Sequence, residues 1–418
     1  MSDRFAILPS GTASNWSSIN TWSATSGGAT GASVPTSADG VYVDDNSVGG
    51  AGASLVVDVT AYCKNMDWTG ATNSPTMSIG ALHIVVSGNI TFITDMTITA
   101  TSWGWYIDLA GNTTQTLTTA GRFTSKTIIQ FNTASNLSLQ DDLTCGQIAF
   151  SRGTITTNNH NVTLSSTGAG WGIQITGATA KTFNMGSSVI TASVWNYSGS
   201  NLTLTANTST INCSGDFSGG GITTYNIVNL TGDSTISGSN TFDELNLPVG
   251  TTQTITFTDG TTQTITNTLG LSGSVGHVHT LQGSDTAGWA LVKTGDKFVL
   301  EYLSVSYSTV TDDKFYAVRS TDGGNNTNWL FDQLPLAGLS DGESSASGNV
   351  MLTMYLAGLS EGITSIEAAL AAWRTNPTIK AAPHKGTRQP KAQRKYTLGK
   401  SQPKYSLGKV QEEHNLGD

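Results

Sequence analysis

Thr251-Thr-Gln-Thr-Ile-Thr256 is followed ten residues later by the same six residues, Thr261-Thr-Gln-Thr-Ile-Thr266. Each copy holds one apolar residue among small polar ones, as a short strand with one face on a core requires. The spacing extends outward: Ile227, Ile236, Leu245, Ile255 and Ile265 lie 9 or 10 residues apart. Alternation also marks Leu55, Val57 and Val59, then Leu82, Ile84 and Val86, then Ile90 and Phe92. Ile173 and Ile175, Leu202 and Leu204, Ile211 and Cys213, and Leu245 and Leu247 continue it. Gly, Asn, Asp and Thr between these pairs supply turns. No amphipathic helix interrupts the run.

A sandwich or barrel also places strands every 8–12 residues. One such domain seldom exceeds about 250 residues, whereas this pattern runs from Leu55 to about Phe331. Stacked coils have no such ceiling, because each contacts only its neighbours. Two or three strands would complete a coil of roughly 20–30 residues. The expected fold is therefore an all-β solenoid, with a chain of small sandwiches as the alternative.

Charged residues make up 12% of the 418, and hydrophobic residues 37%. A chain so poor in both would be disordered if its apolar residues were scattered; their regular spacing argues for an ordered core. The net charge of −9 is unevenly spread. Residues 1–373 carry 10 Lys and Arg against 26 Asp and Glu, and residues 374–418 carry 10 against 3. Cys63, Cys145 and Cys213 show no zinc or disulfide spacing and read as small buried apolar groups. Met1 to Gly11 lacks the apolar centre of a signal peptide, and no stretch is long and apolar enough to span a membrane.

Four segments are expected. Residues 1–54, with Trp16 and Trp22, would cap the first coil, and 55–332 would form the solenoid. Residues 333–374 hold a tandem module, Leu336-Ala-Gly-Leu-Ser-Asp-Gly342 and Leu356-Ala-Gly-Leu-Ser-Glu-Gly362. Its second copy leads into a short helix expected over Ile363 to Arg374. Residues 375–418 form a basic, extended tail with its own repeat, Lys395-Tyr-Thr-Leu-Gly-Lys400 and Lys404-Tyr-Ser-Leu-Gly-Lys409. Lys395, Tyr396, Leu398 and Lys400, with Lys404, Tyr405, Leu407 and Lys409, have the character of docking peptides. The aromatic and Leu side chains would bind while Lys steers.

Ser14-Asn-Trp-Ser-Ser18, Trp22-Ser-Ala-Thr-Ser-Gly-Gly28 and Ala32-Ser-Val-Pro-Thr-Ser-Ala-Asp39 resemble the opening of β-helical virion proteins of environmental bacteriophages. So does Tyr62-Cys-Lys-Asn-Met-Asp-Trp-Thr-Gly70. Ser320-Thr-Asp-Gly-Gly-Asn-Asn-Thr-Asn-Trp329 is similar to their closing segment. The resemblance implies a right-handed parallel β-helix on a virus particle, as a fibre, a spike or a capsid-surface protein. It supplies no catalytic motif, and the basic tail departs from its pattern.

Candidate sites are few. Glycoside hydrolysis needs two carboxyl groups facing one bond. Asp141-Asp142 and Asp312-Asp313 are adjacent pairs, which a strand points to opposite faces, so they read as turn aspartates. Trp103, Trp105 and Tyr106 form the densest aromatic cluster; burial is the expected arrangement, with stacking on host glycan as the alternative. His277-Val-His279 would put two imidazoles on one strand face, a candidate metal site only if a threefold axis passes there. No cofactor is expected. The tail is expected to meet an acidic surface on another virion protein rather than nucleic acid.

The leading expectation is a structural, non-enzymatic protein of the virion. It would be made in the host cytoplasm, project from the particle, contact the host surface and be held by its C-terminal region as a homo-oligomer, commonly a trimer in such fibres. A capsid decoration protein, a polysaccharide depolymerase and a bacterial surface adhesin are the alternatives. The adhesin predicts a secretion signal or anchor.

Overall fold

The computed structural model describes residues 2–332, apart from 103, 166–170, 222–223, 294–297 and 312–314. The tandem module and the tail, with Lys395, Tyr396, Leu398, Lys400, Lys404, Tyr405, Leu407 and Lys409, lie outside the described residues. So do Trp103, Asp312 and Asp313.

Among the described residues the protein is all-β, with a single 3-10 turn at Ile19–Thr21. Its strands form sheets of ten, four, thirteen, nine and three members. Every strand pair is parallel except Asp3–Ala6 with Trp22–Ser23. From Gly40–Tyr42 onward, consecutive strands lie in different sheets. From His83–Val86 in the thirteen-stranded sheet the chain passes to Ile90–Thr91 in the ten-stranded sheet, then to Thr97–Ala100 in the four-stranded one. It returns to the thirteen-stranded sheet at Trp105–Leu109, pairing Ile107 with Ile84. In later circuits the nine-stranded sheet takes the third place: Gln147–Phe150 leads to Gly153–Thr156, then Val162–Leu164, then back at Ile173–Ile175.

The ten-stranded sheet ends at Leu202–Thr205. From there to Trp289–Lys293 the circuit needs two strands instead of three, and strands in the nine-stranded sheet lengthen, as in Thr224–Leu230 and Thr262–Gly270. From Val299–Glu301 the three-stranded sheet supplies a third strand again. The twin hexapeptides therefore do not pair with each other. Ile255 pairs with Ser234 and Leu281 in the thirteen-stranded sheet, while Ile265 pairs with Phe242 and Lys293 in the nine-stranded one. Both copies bury their glutamine at a corner. Gln263 Nε2 donates to the Gly238 carbonyl at 2.9 Å, and Gln263 Oε1 accepts from Asn240 at 2.9 Å.

Alternation builds the core directly. Ile84, Ile107, Ile129, Ile148, Ile173, Trp195, Phe217 and Ile236 are successive register partners, and all are buried. Like residues thus stack on like, circuit after circuit, and exclude water from the interior. The opposite faces carry polar stacks. Asn229 donates to the side-chain oxygen of Asn212 at 2.8 Å, and Asn246 donates to that of Asn229 at 3.1 Å. Such bonds satisfy side chains that packing brings within 5 Å of their equivalents.

Stacking begins earlier than expected. Asp3–Ala6 pairs with Gly40–Tyr42, and Ala13–Asn15 with Ser54–Val57, so residues 1–54 open the parallel sheets instead of standing before them. Their inward positions Ala6, Leu8, Val41 and Val43 are fully buried. Trp22 Nε1 donates to the Trp16 carbonyl at 2.8 Å, and the two buried rings meet edge to face. No helix among the described residues is long and apolar enough to cross a membrane.

Carboxylates at the corners tie circuits together by accepting backbone N–H bonds. Asp58 accepts from Ser17, Asp216 from Thr235 and Asp233 from Thr254. Asp39 accepts three bonds. Burial alone would raise its pKa, but the Thr36 hydroxyl and N–H and the Ser2 hydroxyl outweigh burial and hold it at about 2. A carboxyl depressed by folding stabilises the native state above its ordinary pKa of 3.8, and that stability fades as pH falls toward about 2. Tryptophan fluorescence followed through this window should show acid loosening of the N-terminal circuits, weaker in Asp39→Asn. Identical acid limbs in both proteins would remove Asp39 from this role.

Candidate functional site

The outer face of the thirteen-stranded sheet carries the most unusual grouping. Three adjacent strands, His83–Val86, Trp105–Leu109 and Thr127–Phe131, place His83, Tyr106 and Ile128 in one outward row. Asp108 stands in the next outward row, one step along the strand from Tyr106. His83 Nδ1 lies 2.8 Å from Asp108 Oδ2. The carboxylate can only accept, so Nδ1 carries the proton, and on a neutral ring Nε2 keeps its lone pair. The His83 side chain is 37% exposed and that of Asp108 only 5%. The second oxygen of Asp108 is buried with no hydrogen-bond partner.

Tyr106 stacks on His83, ring centroids 4.3 Å apart and planes 5° from parallel. Ile128 is its partner in the strand on its other side. The ring therefore meets solvent by its edge and hydroxyl, not by its face. Gly104, with φ +76°, leaves a gap beside it: a Cβ there would sit 3.5 Å from Ile128, 3.8 Å from the Trp171 ring and 3.9 Å from the Tyr106 hydroxyl. Trp171 is partly exposed and comes from the segment leading into Ile173–Ile175, three strands beyond Trp105–Leu109 in this sheet. Partly exposed Gln130, Gln174 and Asn196 continue the Asp108 row, Asn196 donating to Gln174 at 2.7 Å.

The structure redistributes the residues singled out in the sequence. Trp105 is fully buried against Phe123, which removes it from any glycan contact. Tyr106 reaches the surface by its edge, and Trp103 lies outside the described residues. His277 and His279 do not share a usable face. His277 closes a tight turn with Ser274 and is exposed, whereas His279 opens the strand His279–Gly283 and is fully buried. Burial, helped by the nearby His277, lowers the pKa of His279 against the pull of the Pro248 carbonyl. Among the described residues no cluster of three or more His, Cys, Asp or Glu side chains is arranged to hold a metal ion.

Asp141 and Asp142 serve different corners. Asp141 accepts from the N–H groups of Thr119 and Ala120, and Asp142 from that of Asn161. They do not face a common bond. The three cysteines are buried and unpaired, and burial raises the thiol pKa of each.

A cavity of about 250 Å³ opens further along the chain, between Gly260–Thr262, Thr286–Ala290 and Tyr307. No charged side chain lines it. The neighbouring Asp259 is occupied by the N–H groups of Asp285 and Ala287 at 2.8 Å.

His83, Asp108 and Trp171 were not singled out from the sequence. His83 and Asp108 are 25 residues apart, and only the register of parallel strands brings them together. No protein-family model, curated protein or solved structure matches this chain.

Proposed function

We propose that the chain is a right-handed parallel β-helix and a structural protein of a bacteriophage particle, a fibre or spike that projects from the virion and meets the host surface. One observation carries the architecture: a thirteen-stranded parallel sheet to which the chain keeps returning with the same interior column. Parallel crossovers of L-residues are right-handed in nearly all cases. Such a stack holds its length without a globular core, because each coil needs only its neighbours. That suits a projecting rod. The virion assignment rests on the resemblance of the segments around Trp16, Trp68 and Trp329. All three tryptophans are buried, and the outer two lie near the two ends of the described stack. The basic tail, with its repeated Tyr and Leu, is the proposed anchor to an acidic surface on another virion protein, in a homo-oligomer such as a trimer.

Deleting residues 375–418 separates folding from assembly. The truncated protein should keep its circular dichroism and melting behaviour while its incorporation into particles collapses. Normal incorporation would sink the anchoring role. Copy number per particle then distinguishes a fibre or spike from a capsid decoration, and release of reducing ends from host polysaccharide would move the protein to the depolymerases.

A further inference from the structure

The geometry points to the outer face around His83, Tyr106, Asp108 and Trp171 as a binding site for an uncharged, hydroxyl-rich saccharide chain. This inference rests on the proposed contact with the host surface and gives that contact its residues and its ligand class.

The first argument is the buried carboxylate. Asp108 stands on the outer face yet is 4% exposed, and one of its oxygens has no partner. Folding gains little from such a group. Its partnered oxygen fixes the His83 ring: Nδ1 is committed to Asp108 at 2.8 Å, and Tyr106 holds the ring plane by stacking. Nε2 is then a positioned acceptor on a partly exposed ring, with the Tyr106 hydroxyl standing over the adjacent strand. Positioned acceptors and hydroxyls beside an apolar wall are what sugar recognition requires.

The second argument is the wall. Trp171 reaches back across the sheet to the gap left by Gly104, beside Ile128 and the Tyr106 hydroxyl. A pyranose presents C–H groups on its ring faces and hydroxyls at its rim, so an indole and two edge polar groups meet complementary sides of it. Neighbouring strands are about 4.8 Å apart, and a saccharide chain laid along the stack would meet a new side chain at each strand. Gln130, Gln174 and Asn196 line that track.

The third argument is charge. With His83 neutral the pair carries one negative charge, and with His83 protonated it carries none. In the neutral form, where Nε2 is an acceptor, the negative charge of the pair favours a neutral glycan over a uronate polymer.

The test uses the purified full chain, isothermal calorimetry, and oligomers of dextran, mannan and galactan beside alginate oligomers. At least one neutral oligomer should bind saturably, and Trp171→Ala and His83→Ala should each weaken it by roughly tenfold or more with the melting transition retained. Asp108 is a positioning residue. In Asp108→Asn the ¹⁵N shifts of labelled His83 should report loss of the Nδ1-protonated tautomer, with weaker binding. Three results would overturn the site: no neutral oligomer binds, alginate alone binds, or affinity is unchanged in both the Trp171 and His83 variants. An unchanged His83 spectrum in Asp108→Asn would overturn the positioning by Asp108. Binding in solution does not depend on particle assembly. Saccharide binding by a chain that never enters particles would reject the virion reading and keep the site, and the converse result would do the opposite.

Discussion

Trp195→Ala should lower the unfolding free energy by about 3–5 kcal/mol, the range for emptying an aromatic site in a packed interior. Trp195 is fully buried and stands in the central column of the thirteen-stranded sheet, paired with Ile173 on one side and Phe217 on the other. Its ring lies 6.1 Å from Phe183, 6.1 Å from Phe217 and 5.8 Å from Tyr225. Alanine removes all three contacts and leaves a hole that flanking coils cannot fill, because their backbones are pinned by ladder bonds on both sides. A polar loss follows. Trp195 Nε1 donates to the Tyr225 hydroxyl at 3.2 Å, and that hydroxyl donates to the Gly219 carbonyl at 3.0 Å. In a stack where each coil holds the next, a weak coil also breaks cooperativity. Guanidinium unfolding followed by circular dichroism should therefore show an earlier and broader transition, largely restored in Trp195→Phe. An unchanged midpoint would mean that the column does not carry the stability assigned to it.

That column was legible in advance because strand alternation is local. Ile84 and Ile173 announce their faces through neighbours two residues away, and both are interior. Relations between coils were not legible, because the coils differ in length. From Ile129 to its partner Ile148 is 19 residues, and from Ile148 to Ile173 is 25. A variable step cannot be counted from composition, so no pattern in the sequence sets His83 opposite Asp108 or brings Trp171 back to Gly104. The same limit explains the residues read otherwise. His277 and His279 satisfy an alternation rule that a turn at Ser274–His277 suspends. Trp103, Trp105 and Tyr106 were grouped by their closeness in the chain, while the surface groups Tyr106 in fact joins come from the preceding and following circuits.

Gly153→Ala tests the closeness of that stacking. Gly153 opens the strand Gly153–Thr156 where the chain turns from the thirteen-stranded to the ten-stranded sheet, with φ +86°. A Cβ there would lie 2.1 Å from the Ser135 carbonyl oxygen in the preceding coil. That carbonyl accepts the N–H of Thr154 at 2.9 Å. It cannot retreat easily. Ser135 is fully buried, and its hydroxyl donates to the Gly111 carbonyl at 2.7 Å in the coil before it. Alanine thus meets two penalties, a left-handed backbone and an overpacked contact, which together amount to about 2–5 kcal/mol. Gly121→Ala separates them. Gly121 has φ +69° and nothing within 4 Å of an added Cβ, so it carries only the backbone penalty, about 1–2 kcal/mol. Thermal melts of the two variants should therefore rank Gly153→Ala well below Gly121→Ala, and amide exchange at Thr154 should rise in the first alone. Equal melting temperatures would show that the coils at Ser135 and Gly153 can part without cost, and the rigidity proposed for the rod would fail at that point.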